Sequence, residues 1–211
     1  MPVSPRLVLV RHGQTEWNTQ QRWQGATDIP LNENGRRQAR SAAPFYASLE
    51  PVAIWSSPLS RAHDTATEVA ALTGLRIRTD DRLKEMDFGA AEGCVWEEVL
   101  ALDPGIAGWR AGQDVLWPGG ESGSLVQQRV GGALRQIDAS APAGLVLVFS
   151  HGTAIRMGAA AMLGWGVEGA WRLGSVDNCC STGLLPTSSG WRLDHFNASP
   201  QWGSDAGPVL T

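Results

Sequence analysis

The apolar run Leu7-Val8-Leu9-Val10 does not alternate, which predicts a strand covered on both faces. Ala39, Ala42, Ala43 and Tyr46 follow at i, i+3, i+4 and i+7, the spacing of one helical face. A short strand over Val52 to Trp55 comes next. Ala62, Ala66, Val69 and Ala70 then mark a second helix closed by Gly74, and Leu75 to Arg78 reads as a third strand. From Asp80 to Gly123 the pattern breaks up, with Gly, Pro and Trp scattered through it. Ser124-Leu125-Val126-Gln127 has the form of a capping box and predicts a helix whose apolar face is Val126, Val130, Ala133, Leu134 and Ile137. Leu145 to Phe149 is a second unbroken apolar run, followed by a small-residue helix from about Thr153 to Leu163. Ser181 to Leu185 and Trp191 to Phe196 predict a strand pair joined by a Pro/Ser/Gly turn. Strands alternating with helices imply an α/β fold, a three-layer α/β/α sandwich around a mostly parallel central sheet. No repeat or composition break divides the chain. Residues 1–198 are expected as one domain and 199–211 as a flexible tail.

Composition narrows the function more than the fold. The chain has 211 residues, 43% hydrophobic and 18% charged, with a formal net charge of -4. That balance argues against a nucleic-acid or membrane-surface partner, either of which favours a basic footprint. No run approaches the roughly 20 apolar residues of a membrane span, and none resembles a signal peptide. The three cysteines, Cys94, Cys179 and Cys180, do not form a disulfide framework, and a reducing, cytoplasmic setting is expected. Ten tryptophans suggest core and cleft walls, and exposed ones would suit a homodimer interface.

Candidate chemistry gathers at strand ends. His12 and His151 each follow an unbroken apolar strand and precede a glycine. In a parallel sheet, ligands sit outside the carboxyl ends of the strands. A single His-Gly there is equally a loop histidine, but two at equivalent places point to a site. Arg11 adjoins His12, and Arg61 falls in the first turn of the helix after the second strand. Two guanidinium forks and two imidazoles on one rim suit a phosphate dianion. Gly13 is read as letting the backbone turn close to that phosphate. Thr153 is placed to offer a backbone N–H to it at a helix start. Arg156 reads as a helix-surface residue, and Glu121 and Ser122 as a turn and cap.

Arg11-His12-Gly13 with Thr15 and Asn18, Gln24-Gly25, Asp28, Leu31, Gly35 and Gln38-Ala39 resembles the opening of the histidine phosphatase superfamily, the phosphoglycerate-mutase-like fold. The resemblance continues through Ser56-Ser57-Pro58-Leu59-Ser60-Arg61-Ala62, Leu83-Lys84-Glu85-Met86-Asp87-Phe88-Gly89, Glu92-Gly93, Gly119-Gly120-Glu121-Ser122 and Ser150-His151-Gly152, in the family's order. It implies that His12 is the nucleophile, forming a phosphohistidine. Arg11, Asn18, Arg61 and His151 would hold the phosphoryl oxygens, and Gln24 and Gly25 would contact substrate. Glu85 would be the proton donor, with Asp87 and Glu92 as rivals. His12, Glu85 and His151 form the implied catalytic set, with no cofactor and no metal, since the arginines supply the charge a cation would otherwise bring.

The resemblance also separates mutases from phosphatases. Mutases of this family usually carry a longer middle insertion with an arginine pair and a proline run. Here Gly108-Trp109-Arg110-Ala111-Gly112-Gln113-Asp114-Val115-Leu116-Trp117-Pro118 has neither. The chain looks like a phosphomonoesterase for small-molecule phosphate esters, resembling the broad-specificity and glucosyl-3-phosphoglycerate types. The alternatives are a cofactor-dependent phosphoglycerate mutase and a catalytically silent phospho-ligand binding protein. Trp109 and Trp117 either line the pocket or pack the irregular segment. Ala90-Ala91, standing where an aromatic is common, suggests a more open wall.

Overall fold

The computed structural model describes residues 6–200. Six strands form one sheet in the order β3-β2-β4-β1-β5-β6: β1 Arg6–Arg11, β2 Ala53–Ser56, β3 Ile77–Thr79, β4 Leu145–Ser150, β5 Ser181–Thr187 and β6 Gly190–Ala198. The first four in that order are mutually parallel; β5 runs antiparallel to β1, and β6 to β5. The unbroken run of β1 divides cleanly between two cores. Leu7 and Leu9 join Val146 and Val148 on one face, while Val8 and Val10 join Leu147 and Phe149 on the other. With helices on both faces, every position along such a strand must be apolar.

Eight helices surround the sheet: α1 Glu16–Thr19, α2 Glu33–Ser48, α3 Ser60–Thr73, α4 Trp96–Leu102, α5 Ala107–Arg110, α6 Gly123–Ser140, α7 Gly152–Met162 and α8 Val167–Ala170. Ala42, Ala43 and Tyr46 of α2 and Ala66 and Val69 of α3 cover the Val8 face. Val126, Val130, Ala133, Leu134 and Ile137 of α6, with α7, cover the Leu7 face, as the spacing predicted. The capping box does not form at Ser124. Ser122 is the N-cap, its side chain accepting from Leu125 N, and Ser124 N donates instead to Asp114 at 3.0 Å. Gly74 ends α3 in the left-handed conformation, and β3 begins two residues later than the apolar pattern suggested. The irregular middle holds two short helices, α4 and α5, too brief for a period to show. No helix among the described residues is long and apolar enough to cross a membrane. The tail expected from residue 199 lies almost wholly outside the described residues.

Candidate active site

β1 and β4 are neighbours in register, Arg11 opposite Ser150, so both strand-end histidines emerge side by side. His12 N donates to the Ser150 carbonyl at 3.1 Å, extending the ladder one residue, and the two imidazole centroids lie 5.2 Å apart. Close packing holds the loop after β1. A Cβ on Gly13 would come within 2.6 Å of the Gly35 carbonyl oxygen, and one on Gly35 within 2.0 Å of the Gln14 oxygen. Glycine at 13 therefore serves a close approach to the start of α2.

Hydrogen bonds assign the tautomers of both rings. His12 Nδ1 sits 2.6 Å from the Gly13 carbonyl, which only accepts, so Nδ1 carries the proton and Nε2 keeps its lone pair. His151 accepts at Nδ1 from Arg61 Nε at 3.2 Å, so its Nε2 proton points to Ser57 Oγ at 2.8 Å. Burial, with Arg61 next, holds both rings well below the usual imidazole range, so both are neutral near pH 7. Arg61, although in the first turn of α3, is fully buried, and burial brings its guanidinium down to about 10. Its Nη1 and Nη2 donate to the carbonyls of Thr27 and Gly25, each at 2.8 Å. Gly25 has φ +55, and a Cβ there would collide with the Glu92 carboxylate. Arg11 donates Nη1 to the Val176 carbonyl, while its buried Nε has no partner.

These groups floor an open pocket of about 440 Å³ lined by Arg11, His12, Asn18, Gln24, Gly25, Arg61 and Glu85. The structure thus brings the sequence-predicted site residues together, although His151 does not itself line the pocket. His151 stands a layer behind, with no exposed surface, both ring nitrogens engaged by Arg61 and Ser57. Its Nδ1 supports the Arg61 guanidinium from behind. Asn18 Oδ1 accepts from Thr15 N at 3.0 Å and Gln24 Oε1 from Thr15 Oγ1 at 2.9 Å, so one threonine organises both polar side chains.

The three candidate acids separate by their partners. Glu92 accepts from Ala26 N at 2.7 Å, Thr27 N at 2.9 Å and Phe88 N at 3.2 Å, so it braces the loop beside Gly25. Asp87 accepts from Gly89 N at 2.8 Å and turns its own chain. Only Glu85 faces the pocket. Its Oε1 accepts from Met86 N and Ala154 N, whereas Oε2 accepts only from Thr153 N at 3.0 Å, leaving a lone pair for a ligand. The Thr153 N–H expected to meet phosphate is therefore engaged by Glu85. Among the described residues, no group of three or more His, Cys, Asp or Glu side chains is placed to hold a metal ion.

Trp109 and Trp117 do not line the pocket; they are buried and packed edge-on, 5.7 Å apart. Trp17, Trp23 and Phe88 form the wall instead, and Trp23 stacks back on Trp117 at 4.9 Å. Of the pair Ala90-Ala91, Ala91 is buried in the core and Ala90 is exposed. Arg156 is not a surface residue but a pocket residue, its guanidinium 4.2 Å over Trp171. Position 156 is four after Gly152, so it shares the face of α7 that Gly152 turns to Arg11.

A model of the histidine phosphatase superfamily (branch 1) matches residues 7–199. Glucosyl-3-phosphoglycerate phosphatase of Mycobacterium tuberculosis is 38% identical over 95% of this chain and 97% of its own length. Phosphoserine phosphatase 1 of Hydrogenobacter thermophilus is 35% identical over 80% of this chain and 81% of its own. Among solved structures, the mycobacterial glucosyl-3-phosphoglycerate phosphatase complexed with VO3 has a TM-score of 0.85 at 37% identity, covering 93% of this chain and 100% of that one.

Proposed function

The chain belongs to the histidine phosphatase superfamily and is a phosphomonoester hydrolase, and on that footing we propose that it works through a phosphohistidine on His12. The bare Nε2 lone pair, fixed by the bond from Nδ1 to Gly13, carries this reading. Nε2 attacks phosphorus as the ester P–O bond breaks, and Glu85 protonates the departing alkoxide. The phosphorylated ring is then cationic, and the Gly13 carbonyl holds its remaining N–H. Arg11 through its unpartnered Nε and Arg61 stabilise the oxygens of the transferring group, with Asn18 and Gln24 at its edge. His151 keeps the Arg61 plane in place. Water next attacks phosphorus, Glu85 takes its proton, and the P–N bond breaks to release phosphate and neutral His12.

The substrate is a small phosphate ester of the kind the relatives' names describe, glucosyl-3-phosphoglycerate or a phosphorylated hydroxy or amino acid. The test is hydrolysis of p-nitrophenyl phosphate with trapping of labelled phosphoenzyme in an alkaline detergent quench, which preserves the P–N bond. His12→Ala should lose at least about 10³-fold in rate and all acid-labile label. Label that persists in His12→Ala would overturn the nucleophile. Isomerisation of 3-phosphoglycerate in the presence of 2,3-bisphosphoglycerate, at rates rivalling hydrolysis, would overturn the choice of water as acceptor.

A further inference from the structure

Four arginines line the pocket, and three of them are already engaged. Arg61 is bound to two carbonyls and His151, and Arg11 to the Val176 carbonyl. Arg22 donates to the Gly93 carbonyl at 2.5 Å and to Gln20 at 3.0 Å, with Glu98 3.7 Å away. Arg156 is different. It makes no hydrogen bond and no ion pair among the described residues, and its Nε is buried without a partner. Trp171 fixes its plane from one side, and Trp171 is itself held edge-on, at 90°, by the buried Trp109. Arg156 is part-buried and lines the pocket, and a buried N–H without a partner is unfavourable unless a ligand anion completes it.

The place of that fork says which anion. A Cβ on Gly152 would lie 3.7 Å from Arg11 Nε and 3.9 Å from Glu85 Oε2, so this end of α7 faces the groups assigned above to the phosphoryl group and the leaving oxygen. Arg156 is about one helical turn, roughly 5–6 Å, further along the same face of α7. A second charge there belongs to the alcohol half of the ester, close to the carbon that bears the phosphate. We propose that Arg156 reads a carboxylate on the leaving group, so that the favoured esters are phosphorylated hydroxy acids over neutral polyol or sugar phosphates. The inference rests on the phosphatase reading above and adds the feature by which the site selects among esters.

The test compares 3-phosphoglycerate with glycerol 3-phosphate, which share the ester and differ in the carboxylate. Calorimetric titration into His12→Ala protein avoids turnover. The acid should bind roughly tenfold to a hundredfold more tightly, as one charge-assisted pair implies. Adding Arg156→Gln should weaken the acid by at least about tenfold while the neutral ester moves less than about threefold. Arg156→Lys should keep part of the gap, because charge remains and the fork is lost. Trp171→Leu, which leaves Arg156 intact but unstacked, should narrow it. An unchanged gap in all three variants, or an equal loss for both esters, would overturn the proposal. Turnover of p-nitrophenyl phosphate by the wild-type chain, measured alongside, reports on the phosphatase reading by itself, so either can fail alone.

Discussion

Arg129 on α6 donates through Nη2 to the backbone carbonyl of Glu85 at 2.9 Å. The same guanidinium binds the Arg82 and Lys84 carbonyls at 2.8 Å and closes a two-pronged pair with Glu121 at 2.7 and 2.8 Å. Glu121 in turn accepts from Asp87 N at 3.0 Å. The segment that carries Glu85, the proposed proton donor, is thus tied to a long helix at both sides of that residue.

Arg129→Lys should therefore lower kcat by about tenfold while KM changes little, since the acid shifts and the phosphate floor does not. Urea unfolding should show a loss of about 2 kcal/mol, a partly exposed pair counting for less than a buried one. An unchanged kcat would remove Arg129 from a positioning role.

Glu85→Gln separates proton donation from binding. With an alkyl phosphate, whose leaving oxygen needs a proton, kcat should fall by about 10²- to 10⁴-fold. With p-nitrophenyl phosphate, which departs without one, the fall should be within about tenfold. Equal losses on both esters would assign the proton elsewhere.

Gly13→Ala should destabilise the fold by about 2 kcal/mol or more, because its methyl meets the Gly35 carbonyl at 2.6 Å and neither backbone segment can yield. Chemical denaturation measures this directly, and a stability within 0.5 kcal/mol of wild type would contradict the close crossing.

The two buried imidazoles make stability depend on pH. Both have folded values well below their unfolded value of 6.5, so the unfolded chain binds more protons wherever pH lies between the two. Stability from this source is fully present above about pH 6.5 and is lost as pH falls below it. The slope should reach roughly 1.4 kcal/mol per pH unit for each ring. Urea titrations from pH 8 to 5 should be flat at first and then fall, and His12→Asn/His151→Asn should flatten the lower limb.

Much of this site was visible in the chain itself. Leu7 to Val10 and Leu145 to Phe149 announce buried parallel strands, and the histidines after them share one rim because parallel neighbours end on the same side. The motif around Glu85 singled out that carboxyl, and the hydrogen bonds of Asp87 and Glu92 explain why they are not its equals. Arg156 was not legible, because its value depends on the rotation of α7 and on Trp171 arriving beneath it from α8. Trp109 and Trp117 could not be told from Trp17 and Trp23 by composition, since the same side chain suits a core or a wall. The cap at Ser122 was legible, but the capping box placed at Ser124 does not form, because Gly123 starts the helix one residue before the serine that begins the S-x-x-Q pattern.

The place of β1 between β4 and β5 has a consequence for synthesis at the ribosome. A nascent chain of about 140 residues already contains His12, Arg61 and Glu85, yet has neither neighbour of β1. Arg11 gains its carbonyl partner only with Val176, and the backbone carbonyl of His12 gains Asn178. Catalytic competence therefore appears late and all together, when β5 closes beside β1. Shorter translation products carry every reacting group without the means to turn over an ester.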